Sequence, residues 1–125
     1  MKKTIWFTAK VIPGKQIGRL LGFPTINLDN PQLLIGKKEG VYACLVKIAD
    51  EIHKGILYYG PRLILKEKEN ILEIYILDFD KDIYDQTISF QLKNYIRPVK
   101  DFLDFEEFKK QLILDCSRAR EILLK

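Results

Sequence analysis

The residues best suited to chemistry lie in one run, Gly18 to Leu28, which reads GRLLGFPTINL. Within it, Thr25 and Asn27 are two positions apart, so their side chains share one face if the segment is extended. A hydroxyl and an amide oxygen side by side are hard oxygen donors, which suit Mg²⁺ that is shared with phosphate groups. The alternative is that both side chains simply close a turn after Pro24, and the spacing alone favours this second interpretation.

The loop that leads into this run, Pro13 to Arg19 (PGKQIGR), is a second candidate site. Glycines allow backbone N–H groups to approach phosphate oxygens, and Lys15 and Arg19 could neutralise phosphate charge. The spacing does not match the Walker A motif, because no Gly-Lys-Ser/Thr follows the glycines. A hairpin loop that contains two glycines remains the commoner explanation.

A carboxylate stands inside the most strand-like segment of the chain, Ile71 to Phe79 (ILEIYILDF). Charged side chains are seldom buried without a partner, so Glu73 is an unusual residue there. Strand alternation places it on the same face as Tyr75 and Leu77. That face is either turned toward a ligand or merely exposed to water. A functional glutamate at this position would accept a proton from a hydroxyl group.

Farther along, Arg97 stands at the end of a strand-like segment, directly before Pro98. Proline is expected to end the strand. An arginine in this place is often a surface cation, but its planar fork also suits a carbonyl or phosphate group.

Five segments rich in β-branched and aromatic residues predict the strands that would position these groups. They are Thr4 to Ile12, Gly40 to Ala49, Lys54 to Tyr59, Ile71 to Phe79 and Thr87 to Ile96. Turn-forming residues separate them. Five or six short strands joined in this way predict an antiparallel barrel or sandwich.

The C-terminal segment instead has the spacing of a helix. Asp104 and Glu107 form a capping-box signal. Apolar residues then recur every three or four positions at Phe105, Phe108, Leu112, Cys116, Ala119 and Leu123. This pattern predicts one amphipathic helix of about five turns that covers an open side or mouth of the barrel.

The composition limits the classes of function. The 125 residues suit one domain, and the net charge of +4 suits an anionic small ligand as well as nucleic acid. With His53 as the only histidine, the composition disfavours a histidine-based metal site or a Ser-His-Asp triad. Cys44 and Cys116 are expected to be buried free thiols. The absence of a signal-like or 18-residue apolar segment predicts a soluble cytoplasmic protein.

Taken in order, these motifs resemble the riboflavin kinase (flavokinase) family. The family pattern Gly-Arg-x-Leu-Gly-Phe-Pro-Thr-Ala-Asn is similar to residues 18 to 27, with Ile26 in place of alanine. Gly-Val-Tyr matches residues 40 to 42, and Leu-Glu-x-x-Ile-x-Asp-Phe-Asp matches residues 72 to 80. The family tyrosine, arginine and phenylalanine match Tyr84, Arg97 and Phe102. The resemblance spans about residues 9 to 120.

The resemblance implies a six-stranded antiparallel closed β-barrel of Greek-key type with a C-terminal helix, formed by residues 1–125 as a single domain. It also implies transfer of the ATP γ-phosphate to the ribityl 5′-hydroxyl of riboflavin, which gives FMN. The implied cofactor is Mg²⁺ or another divalent cation. The implied partners are riboflavin/FMN and ATP/ADP, and we expect a monomer that binds neither nucleic acid nor a membrane.

The same resemblance implies a role for each site residue. Glu73 would be the catalytic base, Thr25 and Asn27 would hold the metal, and Arg97 and Phe102 would contact the flavin. The implied nucleotide-binding residues are Gly14, Lys15, Gly18, Arg19, Gly22, Pro24 and Tyr84. No nucleotidyltransferase module precedes the motifs, so the chain is expected to make FMN and not FAD.

The chain departs from the family pattern after its third strand-like segment. The family has Asn-x-Gly-x-x-Pro-Thr-Phe there, whereas the segment from Tyr58 to Ile64 reads YYGPRLI. Asp85 also stands where the family has glycine, which a turn would prefer. These changes leave a second hypothesis open, a divergent regulatory paralogue that binds flavin or nucleotide with little or no kinase activity. A small barrel that binds nucleic acid through exposed aromatic residues is a third, weaker hypothesis.

Overall fold

The structure is a computed structural model that describes residues 5–14, 22–23, 25–79 and 81–124. Its strands are β1 (Phe7–Ile12), β2 (Ile26–Leu28), β3 (Gly40–Ile48), β4 (Glu51–Pro61), β5 (Asn70–Ile76) and β6 (Thr87–Pro98). Helix α1 covers Phe105–Ile122, and two short 3₁₀ turns cover Pro31–Leu34 and Leu63–Leu65.

The six strands form a closed barrel in the order β1-β2-β5-β4-β3-β6, and all the pairings are antiparallel. This architecture confirms the predicted barrel with a C-terminal helix. The five strand-like segments all contribute strands, with ends shifted by a few residues. Strand β2, with only three residues, is too short for a periodic pattern to reveal it from sequence.

The barrel interior is filled by alternate residues of each strand. In β5, Leu72, Ile74 and Ile76 point into this core, so the alternation predicted for the segment is confirmed. Glu73 and Tyr75 therefore point outward. Ile26, the residue that replaces the family alanine, packs against the interior core and points away from Thr25 and Asn27.

Helix α1 begins as its capping signal predicted, because the Asp104 side chain accepts a hydrogen bond from the Glu107 backbone N–H at 2.9 Å. The helix does not cover a mouth. It lies on the outer wall of β3, β4 and β6, where Ala119 and Leu123 pack against Ala43. The expected position was wrong because the six strands close on themselves, and the apolar patch that needs cover is on the outer wall.

Both cysteines are free thiols, as predicted. Cys44 lies in the barrel core, and burial raises the pKa of its thiol well above the usual range. Cys116 belongs to α1 and is partly buried against the barrel wall, and burial raises its pKa to about 11. A high thiol pKa means little thiolate at neutral pH, so neither sulfur is placed for nucleophilic chemistry. In the described part of the chain, no helix has the length and apolar character needed to cross a membrane.

Candidate functional site

Four polar side chains meet on the outer face of the barrel: Thr25, Asn27, Arg62 and Glu73. Glu73 Oε2 accepts one hydrogen bond from Thr25 Oγ1 at 3.1 Å and another from Arg62 Nη2 at 2.8 Å. Arg62 Nη2 also donates to Asn27 Oδ1 at 2.8 Å. We call these four residues the polar cluster.

Strand pairing explains why three of these residues meet. Asn27 of β2 lies directly opposite Glu73 of β5, so both side chains point to the same face. Thr25, two positions before Asn27, points the same way. The partners of Thr25 and Asn27 are the side chains of Glu73 and Arg62, which disfavours the interpretation that the two residues only close a turn.

The polar cluster is shielded from water. Asn27 is 9% exposed, and the side chains of Arg62 and Glu73 are 10% and 18% exposed. An ion pair at this depth interacts more strongly than one on the surface, because the surrounding protein screens charge less than water does. The cluster is therefore a partly desolvated ion pair with two neutral polar partners.

Several oxygen atoms of the polar cluster retain free lone pairs. Among the described residues, Glu73 Oε1 has no recorded hydrogen-bond partner, since both bonds to this carboxylate end at Oε2. Thr25 donates its single hydroxyl proton to Glu73, which leaves its lone pairs unused, and an amide oxygen such as Asn27 Oδ1 can accept twice. Two hard oxygens with free lone pairs fit a small divalent cation that also binds phosphate. The described residues include no cluster of three His, Cys, Asp or Glu side chains that could hold a metal by themselves.

The polar cluster borders three cavities, and two of them meet at Thr25. The first, which we call the helix-side cavity, lies between the barrel wall and α1 and encloses about 770 Å³, its open mouth included. Tyr58 and Tyr75 line it on the barrel side and Phe108 and Leu112 on the helix side. Its lining is mainly apolar, and Thr25, Arg62 and Glu73 stand in its wall.

The second cavity, which we call the turn-side cavity, encloses about 410 Å³, open space included. Gly14, Asn27, Lys81 and Tyr84 line it, and so does Thr25. Thr25 therefore faces both cavities. Two ligands, one in each cavity, would meet at the hydroxyl of Thr25 and the carboxylate beside it.

Arg97 and Phe102 also lie in the wall of the helix-side cavity. The guanidinium of Arg97 is bound by the carboxylate of Asp115, with Nε at 2.9 Å from Oδ1 and Nη2 at 2.8 Å from Oδ2. Its third nitrogen, Nη1, donates to the Pro98 carbonyl at 3.2 Å. Gln111 donates to Asp115 as well, and the Phe102 ring lies 5.1 Å from that of Phe108. Arg97 thus joins strand β6 to helix α1 along one side of the cavity.

The predicted nucleotide-binding residues are placed as follows. A Cβ atom on Gly14 would lie 2.0 Å from Asn27 Nδ2, so only glycine fits beside that side chain. Gly22 has a φ of +87°, a conformation that favours glycine. Tyr84 is 43% exposed at the turn-side cavity. Lys15, Gly18, Arg19 and Pro24 lie outside the described residues.

The departures from the family pattern have visible consequences. Tyr58, which replaces the family asparagine, donates a hydrogen bond to the carbonyl of Pro61. Burial, followed by the nearby charge of Glu73, raises the pKa of Tyr58 to about 12, so its hydroxyl stays protonated at neutral pH. Asp85, which replaces the family glycine, has a φ of 64°. The turn does therefore need the conformation that glycine adopts most easily.

Arg62 is not among the site residues predicted from the sequence. It lies in the segment that departs from the family pattern, so no motif drew attention to it. The sequence feature that could have indicated Arg62 was its position directly after a Gly-Pro pair at the end of a predicted strand.

Comparisons with known proteins agree with this fold. The family model described as "Flavokinase: Riboflavin kinase" matches residues 1–123. The chain belongs to the riboflavin kinase family. It is 36% identical over 108 residues to the RNA-binding riboflavin kinase RibR of Bacillus subtilis (86% of this chain, 46% of RibR). It is 31% identical over 112 residues to the bifunctional riboflavin kinase/FMN adenylyltransferase of Haemophilus influenzae (89% of this chain, 36% of that protein). The chain thus spans less than half the length of these curated relatives.

Two solved structures share the fold. One is a macrolide-efflux protein from Streptococcus pneumoniae, with a TM-score of 0.78 and 26% identity over 94% of this chain and 38% of that chain. The other is the riboflavin kinase from Trypanosoma brucei, with a TM-score of 0.68 and 22% identity over 96% of this chain and 80% of that chain. At this level of identity, the second likeness supports the barrel architecture alone.

Proposed function

We propose that this chain transfers the γ-phosphate of ATP to the ribityl 5′-hydroxyl of riboflavin to give FMN. The observation that supports this most is the 3.1 Å contact between Thr25 Oγ1 and Glu73 Oε2 where the two cavities adjoin. A phosphoryl donor in one cavity and an alcohol in the other would meet at this pair. In-line transfer between two bound substrates requires such a shared boundary.

Glu73 acts as the base in this proposal. Hydrogen bonds from Thr25 and Arg62 fix its Oε2, so the second oxygen, Oε1, is left to accept the proton of the 5′-hydroxyl. Phosphoryl transfer has a loose transition state, in which little nucleophile activation is needed early. The base therefore orients the alcohol first and takes its proton late.

Thr25 and Asn27 would hold the divalent cation, through the hydroxyl oxygen and the amide oxygen. When bound, the cation neutralises charge on the phosphate groups. Gly14 keeps room beside Asn27, so the backbone of the loop can approach the same phosphates. Gly22 and Tyr84 would complete the nucleotide side, together with Lys15, Gly18, Arg19 and Pro24.

The helix-side cavity would receive the flavin. Its lining is mostly aromatic and aliphatic, which suits a flat apolar ring system, while the polar cluster stands at one end for the sugar-alcohol chain. Arg97 and Phe102 would contact the flavin from the wall that the Arg97–Asp115 pair holds in place. We further propose that residues 1–125 act as one domain, monomeric and cytoplasmic, with small molecules rather than nucleic acid as partners.

Incubation of the protein with riboflavin, ATP and Mg²⁺, followed by chromatography, tests this proposal. We expect FMN that depends on all three components and disappears when a chelator removes the metal. Riboflavin and ATP left unchanged by protein that is folded by circular dichroism would contradict it.

One observation favours a second candidate function. Tyr58 puts a bulky ring on the floor of the helix-side cavity, where the family has the smaller asparagine, and could slow turnover of a bound flavin. A regulatory paralogue of this kind would quench riboflavin fluorescence without forming FMN. A salt-dependent shift of a labelled oligonucleotide would instead indicate nucleic-acid binding, which the name of RibR attributes to that relative.

A further inference from the structure

Arg62 has no assigned role, yet it lies at the centre of the polar cluster. It enters from the end of β4, and its Nη2 contacts both the proposed metal ligand Asn27 and the proposed base Glu73. Its side chain is only 10% exposed, and it lines the helix-side cavity. A buried cation within 2.8 Å of both groups is in reach of any phosphate that passes between them.

Most of the hydrogen-bonding capacity of Arg62 is unused. A guanidinium has five N–H donors in a fixed fork. Among the described residues, the recorded hydrogen bonds of Arg62 all start from Nη2, which leaves Nε and Nη1 without recorded acceptors. A guanidinium anchored at Nη2 still has the two N–H groups of Nη1 and the one of Nε, and each of these can bind one oxygen of an anion.

Tyr58 fixes the backbone from which Arg62 extends. The Tyr58 hydroxyl donates to the carbonyl of Pro61, the residue directly before Arg62. Gly60 lies in the same turn with a φ of +150°, and a Cβ atom there would lie 2.8 Å from Val99. This turn is therefore held closely on both sides, and the direction of the Arg62 side chain is set by it.

We propose that Arg62 is a further catalytic residue, which donates hydrogen bonds from Nη1 to the transferring phosphoryl group, and that Tyr58 positions it. This inference rests on the proposed kinase function. It also gives Tyr58, which stands where the family has asparagine, a function: its hydroxyl supplies the hydrogen bond that holds the turn.

The protonation state of Arg62 does not change during the phosphoryl transfer. The 5′-oxygen of riboflavin forms a bond to the γ-phosphorus, and the bond from that phosphorus to the β–γ bridging oxygen breaks. The bridging oxygen leaves with the electron pair on ADP, and the proton of the 5′-hydroxyl passes to Glu73 Oε1. Arg62 stays protonated and neutralises negative charge on the phosphoryl oxygens, which is the main catalytic demand of this reaction.

Steady-state kinetics of Arg62→Gln and Arg62→Lys test the proposal. We expect kcat to fall by about 100-fold for Arg62→Gln and somewhat less for Arg62→Lys, with KM values for riboflavin and ATP changed by less than about threefold. Arg118→Gln, which alters an exposed arginine of α1, is the matched control and should keep wild-type kinetics. A kcat for Arg62→Gln within threefold of wild type would overturn the proposal.

Chemical rescue separates a catalytic role from a structural one. Arg62→Ala should regain part of its lost kcat when guanidinium ion is added at millimolar concentration, whereas Glu73→Gln should not. Tyr58→Phe should lower kcat by about tenfold, and it should keep the melting temperature within a few degrees because it loses one hydrogen bond. If Arg62→Ala loses activity, is not rescued by guanidinium ion and has a melting temperature that is lowered along with its activity, the role of Arg62 is structural only.

These outcomes can be told apart from failure of the proposed function. If the wild-type protein makes no FMN, the kinase proposal fails and the kinetics of the variants have no baseline. If the wild-type protein makes FMN and the Arg62 variants match it, only the role of Arg62 is wrong.

Discussion

The helix-side cavity has an arginine–carboxylate pair at each of two places, and the two pairs are built differently. In the Arg97–Asp115 pair, all three nitrogens of the guanidinium are engaged, and Asp115 is 1% exposed. In the Arg62–Glu73 pair, the recorded hydrogen bonds among described residues use one nitrogen and one carboxylate oxygen. In the first pair every guanidinium nitrogen and both carboxylate oxygens are engaged, whereas in the second two nitrogens and one carboxylate oxygen have no partner among the described residues.

This difference separates a structural role from a chemical one. A fully satisfied buried ion pair holds two elements in a fixed relation, here β6 and α1. A partly satisfied one stores interaction capacity that a substrate can use. The same residue types are therefore suited to different roles in one cavity because of how many of their atoms are already paired.

The largest expected effect comes from removing the free acceptor, with Glu73→Gln. We expect kcat for FMN formation to fall by about a hundredfold to ten-thousandfold, because the amide cannot take the proton of the 5′-hydroxyl. The dissociation constant of riboflavin, measured by fluorescence quenching, should change by less than about threefold. Glu121→Gln, at an exposed position of α1, serves as the control. Unchanged turnover in Glu73→Gln would remove the base from the mechanism.

Breaking the fully satisfied pair should affect stability first. We expect Asp115→Ala to lower the free energy of unfolding by about 3 kcal/mol, because it leaves Arg97 largely buried without its carboxylate. Urea unfolding of Asp115→Ala, Arg97→Ala and the double variant measures the coupling between the two residues. A coupling energy near zero would show that the pair does not hold α1 on the barrel.

Removing the proposed metal ligand should have a smaller effect, confined to nucleotide use. We expect Thr25→Ala to raise the KM for Mg²⁺–ATP by about tenfold, since one hard oxygen ligand is lost while solvent can replace it. Its melting temperature should stay close to that of Thr87→Ala, a control at an exposed strand position. If Thr25→Ala unfolds instead, the result would indicate that Thr25 serves to close a turn.

The smallest expected effect lies outside both pairs, in the turn at Asp85. Asp85→Gly should raise the free energy of unfolding by about 0.5–1 kcal/mol, because its φ of 64° strains any residue with a Cβ atom. The ion pair with Lys10, at 3.8 Å between exposed side chains, should contribute little. Asp85→Asn removes that charge and keeps the Cβ atom, so it isolates the backbone effect. Equal stability of Asp85→Gly and Asp85→Asn would show that the backbone is not strained there.

Much of the fold could be predicted from local patterns. The period of two in residues 71 to 79 identified β5 and the outward direction of Glu73, because alternation is a property of the extended backbone itself. The spacing of Phe108, Leu112, Cys116 and Ala119 identified α1 in the same way. Strand β2 was not predicted from a periodic pattern, because a three-residue strand is defined by its hydrogen bonds to neighbouring strands and not by its own sequence.

The candidate site could be predicted only in part. The spacing of Thr25 and Asn27 showed that they share a face, but their meeting with Glu73 depends on a pairing across 48 residues of chain. Arg62 was missed because it contacts Asn27, 35 residues away, only after β4, β5 and β2 have paired. Contacts between residues so far apart leave no periodic trace in a single sequence.

The amino-acid order by itself determined the alternating and helical faces, the acid in an apolar strand and the family to which the motifs belong, because each depends on short-range geometry or on residue types. Closure of the barrel decided the rest. It set α1 on the outer wall, brought Arg62 between Asn27 and Glu73, and left one arginine pair with all its nitrogens engaged and the other with nitrogens and an oxygen that have no partner among the described residues. The physical reason is that closure fixes which buried charges are neighbours, and the number of partners each charge then finds decides what it can still bind.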